Sequence, residues 1–119
     1  MKIVKTSKIV DHVAFLVEDL DISQKWYEDI CGAELVFEDH KYKRMAMNNI
    51  TIALIDKKHY QHNHIGILVQ NYRDLPSDKG ELVHHRDGTT GCYVKDPDGN
   101  VVEFIYYSDK MKKNLGVTK

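Results

Sequence analysis

The chain has 119 residues, a formal net charge of −1, seven histidines and two cysteines. This length corresponds to one domain with a buried core, and charges of both signs are interspersed, which argues against a nucleic-acid-binding or membrane-binding surface. Cys31 and Cys92 are too few for a disulfide framework. The first residues carry no long apolar stretch of the signal-peptide type and no segment reaches transmembrane length, so we expect a cytoplasmic protein.

The first half of the chain predicts one strand, one helix and three further strands. Residues 9–17 are the first strand, and polar groups in residues 19–23 are suited to cap a helix running through residues 24–30. Gly32 is placed to end that helix. The three strands that follow are residues 33–38, 42–47 and 50–56, with a tight turn at residues 48–49 between the last two.

The second half repeats this plan with a reduced helix. Residues 64–69 are its opening strand. Residues 71–79 contain Pro76 and are too few for a stable helix, so we expect a turn or a single helical turn. Three strands close the half, at residues 80–86, 90–95 and 100–106, and residues 96–99 form the turn between the last two.

These elements form an internal repeat. We predict an α+β fold in which two β-α-β-β-β modules, at about residues 9–57 and 63–107, build cupped mixed sheets within one domain of residues 1–119. Residues 110–119 are expected to be a polar tail.

Three polar residues lie inside strongly apolar runs of the predicted strands: His12, His64 and Glu103. Burying a histidine or a carboxylate among β-branched and aromatic residues costs free energy unless another group satisfies it. Two histidines and one carboxylate are also the ligand set of a facial metal site with open positions. The residues leave a second interpretation open, with two core histidines and an exposed Glu103 on an edge strand.

Strand alternation gives an independent check on these positions. His12 shares its face with Ala14, and His64 shares its face with Gly66. Small neighbours leave room beside a ligand, as a pocket requires. The other histidines of the loops, His40, His59 and His62, are expected to be solvated.

Three segments resemble the vicinal oxygen chelate superfamily, which includes glyoxalase I, fosfomycin- and bleomycin-resistance proteins, methylmalonyl-CoA epimerase and extradiol dioxygenases. They are residues 10–15 followed by the helix with Trp26, Tyr27 and Gly32, then residues 62–66, and the closing residues 93–104. The resemblance spans about residues 9–107. It implies the glyoxalase/bleomycin resistance/dioxygenase fold, a sheet that curves around one metal ion.

The resemblance implies that His12, His64 and Glu103 bind this metal. The resemblance places the fourth ligand position of the superfamily at about Ala53. Proteins similar to glyoxalase I share a carboxylate at this position. The resemblance therefore implies a three-ligand site rather than that of glyoxalase I. Such a site is suited to Fe(II), Mn(II), Ni(II) or Zn(II), with positions left for vicinal oxygens of a small substrate.

Tyr93 and His85 are the candidate catalytic residues. Tyr93 lies on the strand before Glu103, where its hydroxyl could hold or protonate a bound oxyanion. His85, Tyr93 and Glu103 resemble the signature of extradiol dioxygenases, in which the histidine is an acid–base residue, although Cys92 replaces a larger apolar residue. The alternatives are a core tyrosine and a solvated histidine at a strand end. Because His84 and His85 alternate in facing, one of them points inward.

The fosfomycin-resistance branch is a poorer match. It has a threonine two residues beyond the first metal histidine, where this chain has Ala14. Its cation-binding loop and the arginine that follows have no obvious counterpart, and the nearby cations are Lys110, Lys112 and Lys113.

Taken together, the sequence predicts a divalent-metal-dependent enzyme that binds a small substrate through vicinal oxygens. An extradiol-dioxygenase-like reaction and a lyase, isomerase or transferase reaction both stay open. The alternative function is a non-catalytic, small-molecule-binding protein of the bleomycin-resistance type. We also expect a homodimer in which His12 of one chain could meet the other two ligands of its partner.

Overall fold

The computed structural model describes residues 3–108, so the predicted tail at residues 110–119 lies outside the described part of the chain. The elements follow the predicted order. They are β1 (Ile9–Val17), α1 (Leu20–Cys31), β2 (Glu34–Glu38), β3 (Tyr42–Ala46), β4 (Thr51–Asp56), β5 (His64–Leu68), a 3-10 turn (Tyr72–Asp74), β6 (Glu81–His84), β7 (Thr89–Lys95) and β8 (Val101–Tyr107).

All eight strands form one mixed sheet in the order β2-β3-β4-β1-β5-β8-β7-β6. In each module the first strand pairs in parallel with the last, β1 with β4 and β5 with β8. The two modules meet where β1 and β5 pair antiparallel. The sheet is therefore nearly symmetric about this junction, which confirms the predicted α+β fold of two repeated modules.

The helix α1 begins and ends at the predicted capping residues. The Asp19 side chain accepts a hydrogen bond of 2.9 Å from the Ile22 amide, and Gly32 has a left-handed backbone with φ 68°. Tyr27 packs from the helix against a core cluster that contains Met45 and Leu54. The helix thus covers one face of the first module.

The opposite face of the sheet carries small side chains near its centre. Ala14 on β1 and Ala53 on β4 belong to a buried cluster with Tyr42 and Ile55. A separate cluster in the second module centres on Val69, Leu75 and Cys92. Because its central residues are small, this face leaves a cavity between the modules.

The second module lacks a counterpart of α1. The segment after β5 contains only the 3-10 turn Tyr72–Asp74, in agreement with the prediction from Pro76. Within residues 3–108 no helix combines the length and the apolar character needed to cross a membrane.

Candidate metal centre

Three adjacent strands bring His12, His64 and Glu103 together. His12 on β1 pairs with Gly66 on β5, and Gly66 pairs with Glu103 on β8. His64 lies two residues before Gly66 and therefore points to the same face of the sheet. The three residues therefore meet within one chain.

The distances between the three side chains fit one metal ion. His12 Nε2 lies 3.3 Å from His64 Nε2 and 3.1 Å from Glu103 Oε1, and His64 Nε2 lies 3.3 Å from the same oxygen. Two ligands bound at right angles at about 2.1 Å from a metal are roughly 3.0 Å apart. The three atoms therefore have the spacing of one triangular face of a metal coordination sphere.

The three side chains are also buried, with His12 3% and Glu103 2% exposed. Glu103 lies on β8, which is an interior strand, so it is not the exposed edge residue of the alternative interpretation. Burying these three polar atoms together costs free energy unless another group satisfies them. A bound cation would satisfy this cluster, and the donor set fits a divalent transition metal.

Two glycines allow the side chains to come this close. A Cβ at Gly66 would lie 2.0 Å from Cε1 of His12, and a Cβ at Gly91 would lie 2.1 Å from Oε2 of Glu103. The small size of Gly66 was expected to leave space beside His64. The structure shows that the His12 ring fills that space.

A buried network holds His12 from behind. The Nδ1 atom of His12 donates to Asp11 Oδ2 over 2.8 Å, which leaves Nε2 to face the cluster. Arg44 Nη2 donates to the same Asp11 oxygen over 2.6 Å, and the Tyr107 hydroxyl donates to Asp11 Oδ1 over 2.7 Å. Asp11 can reach His12 because the pairing with β5 shifts register between Val10 and His12, as at a β-bulge.

The network changes the protonation of its members. Burial lowers the pKa of His12, but the hydrogen bonds to Asp11 and Glu103 raise it more, so that it lies above its usual value. Burial raises the pKa of Glu103, yet hydrogen bonds from three histidines, with His12 first, hold it well below its usual range. Glu103 is therefore an ionised carboxylate, as a metal ligand must be.

The second oxygen of Glu103 contacts the predicted catalytic residues. His85 Nε2 donates to Glu103 Oε2 over 2.7 Å, and the Tyr93 hydroxyl lies 3.3 Å from His85 Nε2. Burial raises the pKa of Tyr93, and the charge of Glu103 raises it further, so the phenol stays protonated. His85 is the inward-facing member of its pair, since His84 is exposed and lies 3.1 Å from Thr90 Oγ1.

His62 was expected to be solvated, and this expectation is wrong. Its Nδ1 atom is buried and has no hydrogen-bond partner among residues 3–108. Its ring centroid lies 5.3 Å from that of His64 and 5.4 Å from that of Tyr93. His62 thus lies beside two of the predicted site residues, whereas His40 and His59 are exposed as expected.

The cluster of His12, His64 and Glu103 opens into a cavity of about 470 Å³, counting the part open to solvent. Ala53, the vacant fourth ligand position, lies in its wall. So do two arginines, Arg44 and Arg86. Neither arginine was predicted as a site residue, because the cations expected near the cavity were the lysines at the end of the chain.

No family model matches the chain, but individual proteins do. It is 29% identical over 87% of its length to a trivalent organoarsenical cleaving enzyme from Bacillus sp. (strain MD1), covering 76% of that protein. It is 28% identical over 79% of its length to the metallothiol transferase FosB from Bacillus licheniformis, covering 72% of that protein.

The fold is also found in a solved structure of a named superfamily member. Methylmalonyl-CoA epimerase from Mycobacterium tuberculosis superposes with a TM-score of 0.70, over 92% of this chain and 97% of that one, at 19% sequence identity. The sequence relatives and the shared fold together indicate the vicinal oxygen chelate superfamily. At this identity the epimerase shows the shared fold and carries no information on the substrate.

Proposed function

We propose that this vicinal oxygen chelate protein is a divalent-metal-dependent enzyme, with His12, His64 and Glu103 as the metal ligands. The observation that supports the proposal most is the buried triangle of two imidazole nitrogens and one carboxylate oxygen at the base of a cavity. A divalent ion held there would polarise vicinal oxygens of a small substrate as a Lewis acid.

His85 and Tyr93 are the groups proposed to handle protons. The hydrogen bond from His85 to Glu103 Oε2 keeps Oε1 turned toward the two histidines. The Tyr93 phenol lines the same cavity and can donate a hydrogen bond to a substrate oxygen that gains negative charge. His85 also lines the cavity and is 21% exposed, so it can exchange protons with solvent.

The cavity gives no support for an arsenical substrate. Trivalent arsenic is a soft centre that binds thiolates. Cys92 is fully buried and donates through Sγ to the Pro76 carbonyl, and Cys31 ends α1 on the far face of the sheet. Neither thiol is among the residues that line the cavity. We therefore propose a substrate that binds through oxygen atoms.

Metal analysis of the full-length protein, purified without chelator, tests the proposal. We expect one ion per chain, which is lost in His12→Ala and kept in His84→Ala, an exposed histidine that serves as the control. Absence of stoichiometric metal in the wild type, or unchanged metal in His12→Ala, would refute the assignment.

Turnover assays then separate the reaction classes. Oxygen consumption with catechols and Fe(II) supports an extradiol-dioxygenase-like reaction. Turnover of hemithioacetals or epoxides without oxygen supports a lyase, isomerase or transferase reaction. Ligand binding without turnover, unchanged in His12→Ala, supports the non-catalytic, bleomycin-resistance-like alternative.

We also propose that the protein is a cytoplasmic homodimer. The sheet has two open edges, β2 and β6, whose unpaired backbone groups favour association. A solution mass of one chain at micromolar concentration would contradict the dimer but would leave the metal site intact, since one chain supplies every ligand.

A further inference from the structure

The two modules place different residues at equivalent positions beside the metal cluster. In the first module, Ala53 on β4 pairs with Ala14, which lies two residues after His12. In the second module, Glu103 on β8 pairs with Gly66, which lies two residues after His64. Ala53 is therefore the first-module counterpart of Glu103, and it has no carboxylate to offer.

The neighbouring strands extend this equivalence. Arg44 on β3 pairs with Ala53, and Tyr93 on β7 pairs with Glu103. Where the second module has a tyrosine beside a carboxylate, the first has an arginine beside a methyl group. The guanidinium thus lies next to the place that a fourth acidic ligand would fill.

Arg44 is buried without enough hydrogen-bond acceptors. It is 2% exposed, and its hydrogen bonds, to Asp11 and to the Tyr107 hydroxyl, all use Nη2. The Nε atom is buried and has no partner among residues 3–108. A buried cationic donor without an acceptor costs free energy, and such groups are rare in native proteins without a functional reason.

We propose that the cavity binds a small oxyanionic group of its ligand, a carboxylate or a phosphonate, against Arg44 in the space above Ala53. The anion would take the place of the carboxylate that the first module lacks at Ala53 and would accept from the guanidinium, a group well suited to planar oxyanions. The inference rests on the proposed function only in treating this cavity as the substrate site.

The other charged groups of the cavity wall are already paired. Asp87 Oδ2 accepts a hydrogen bond from the Tyr42 hydroxyl. Asp87 Oδ1 accepts one from the Thr89 amide over 2.9 Å and one from the Thr89 hydroxyl over 2.7 Å. Arg86 donates to Asp39 over 3.0 Å and to the Tyr60 hydroxyl over 3.0 Å. Of the two arginines that line the cavity, Arg44 is therefore the one with a guanidinium nitrogen that has no partner among residues 3–108.

Calorimetric titration of the full-length protein with acetate and with methylphosphonate tests the proposal. Each anion is titrated into Zn(II)-loaded protein and into chelator-treated protein, because an anion can also bind a metal directly. The chelator-treated sample isolates the arginine, and the two probes distinguish a carboxylate from a phosphonate. We expect at least one of them to bind chelator-treated wild type.

Substitutions of the two cavity arginines give the matched comparison. Arg44→Gln is expected to weaken anion binding by about tenfold or more, since a hydrogen bond to a charged group is lost. Arg44→Lys should fall between this variant and wild type, and Arg86→Gln should stay within about twofold of wild type. The proposal is overturned if neither anion binds, if Arg44→Gln binds as well as wild type, or if Arg86→Gln loses as much.

Ala53→Leu covers the case in which Arg44→Gln does not fold, as a circular dichroism melt would show. The leucine keeps Arg44 and fills the proposed anion space, so it should abolish binding of both probes, and unchanged binding would contradict the site. Metal content is measured on wild type purified without chelator. If that sample holds no metal and still binds an anion, the proposed function is refuted and the Arg44 site stands.

Discussion

The two modules share one topology and divide the work of the site unequally. The second module supplies His64 and Glu103 as proposed ligands, with His85 and Tyr93 around them. The first supplies His12 alone and has a methyl group, that of Ala53, at the position of Glu103. A repeated fold therefore need not give a symmetric metal site.

The first module instead places Asp11 and Arg44 behind His12, where Tyr107 of the second module joins them in one hydrogen-bond network. Among the interactions of residues 3–108, this network contacts the proposed ligands through the hydrogen bond to His12 Nδ1. His64, the counterpart of His12, has no hydrogen-bond partner at its buried Nδ1. The two histidines thus differ in how firmly the protein orients them.

Removing the single carboxylate should have the largest effect. Glu103→Gln keeps the size of the side chain but removes the charge that the metal and two histidines face. We expect the affinity for Zn(II) to fall by more than about 100-fold, which is more than mutation of a residue that only orients a ligand usually causes. Competition with a chromogenic chelator measures it. An affinity within tenfold of wild type would show that Glu103 is not a ligand.

Gly66→Ala should have the next largest effect. The added Cβ would occupy the space of the His12 ring. We therefore expect Zn(II) affinity to fall by about 100-fold, the largest loss usual for mutating a residue that orients a metal ligand. Ala14 holds the equivalent position in the first module, and Ala14→Gly is the control. If both variants bind metal like wild type, the ring does not lie over Gly66.

Asp11→Asn tests the asymmetry between the two histidines. The amide loses the charge that orients His12 and pairs with Arg44, so Zn(II) affinity should fall by about 10- to 100-fold. Asp39→Asn, which removes a carboxylate paired with the other cavity arginine, should leave the affinity unchanged. Equal losses in both variants would indicate a general electrostatic effect instead of a contact with His12.

The pH dependence of metal binding should show a smaller effect of the same network. The pKa of His12 lies above its usual value, because hydrogen bonds to Asp11 and Glu103 outweigh burial. A histidine must be neutral to bind a metal, so Zn(II) affinity should fall as the pH drops through this raised pKa. In Asp11→Asn the fall should begin at lower pH. A fall that begins at higher pH in the variant would contradict this account.

The strands and the proposed ligands could be predicted because each leaves a local trace in the sequence. Polar residues in apolar runs indicated His12, His64 and Glu103, and alternation placed Gly66 on the same face as His64, although Gly91 was not predicted. The observed strand β1, Ile9–Val17, has the predicted bounds.

The supporting residues could not be predicted, for physical reasons. Asp11 should point away from His12 by alternation, and only the register shift next to it brings their side chains together. Arg44 follows Lys43 on a strand, and a single sequence does not show which of two adjacent cations faces inward. His62 lies before the first residue of β5, where periodicity gives no direction.

Anomalous diffraction from crystals soaked in Zn(II) tests the central claim most directly. The account predicts one strong peak per chain, within bonding distance of His12 Nε2, His64 Nε2 and Glu103 Oε1 of the same chain. No peak at this position, or a peak that lacks any one of the three residues, would contradict it.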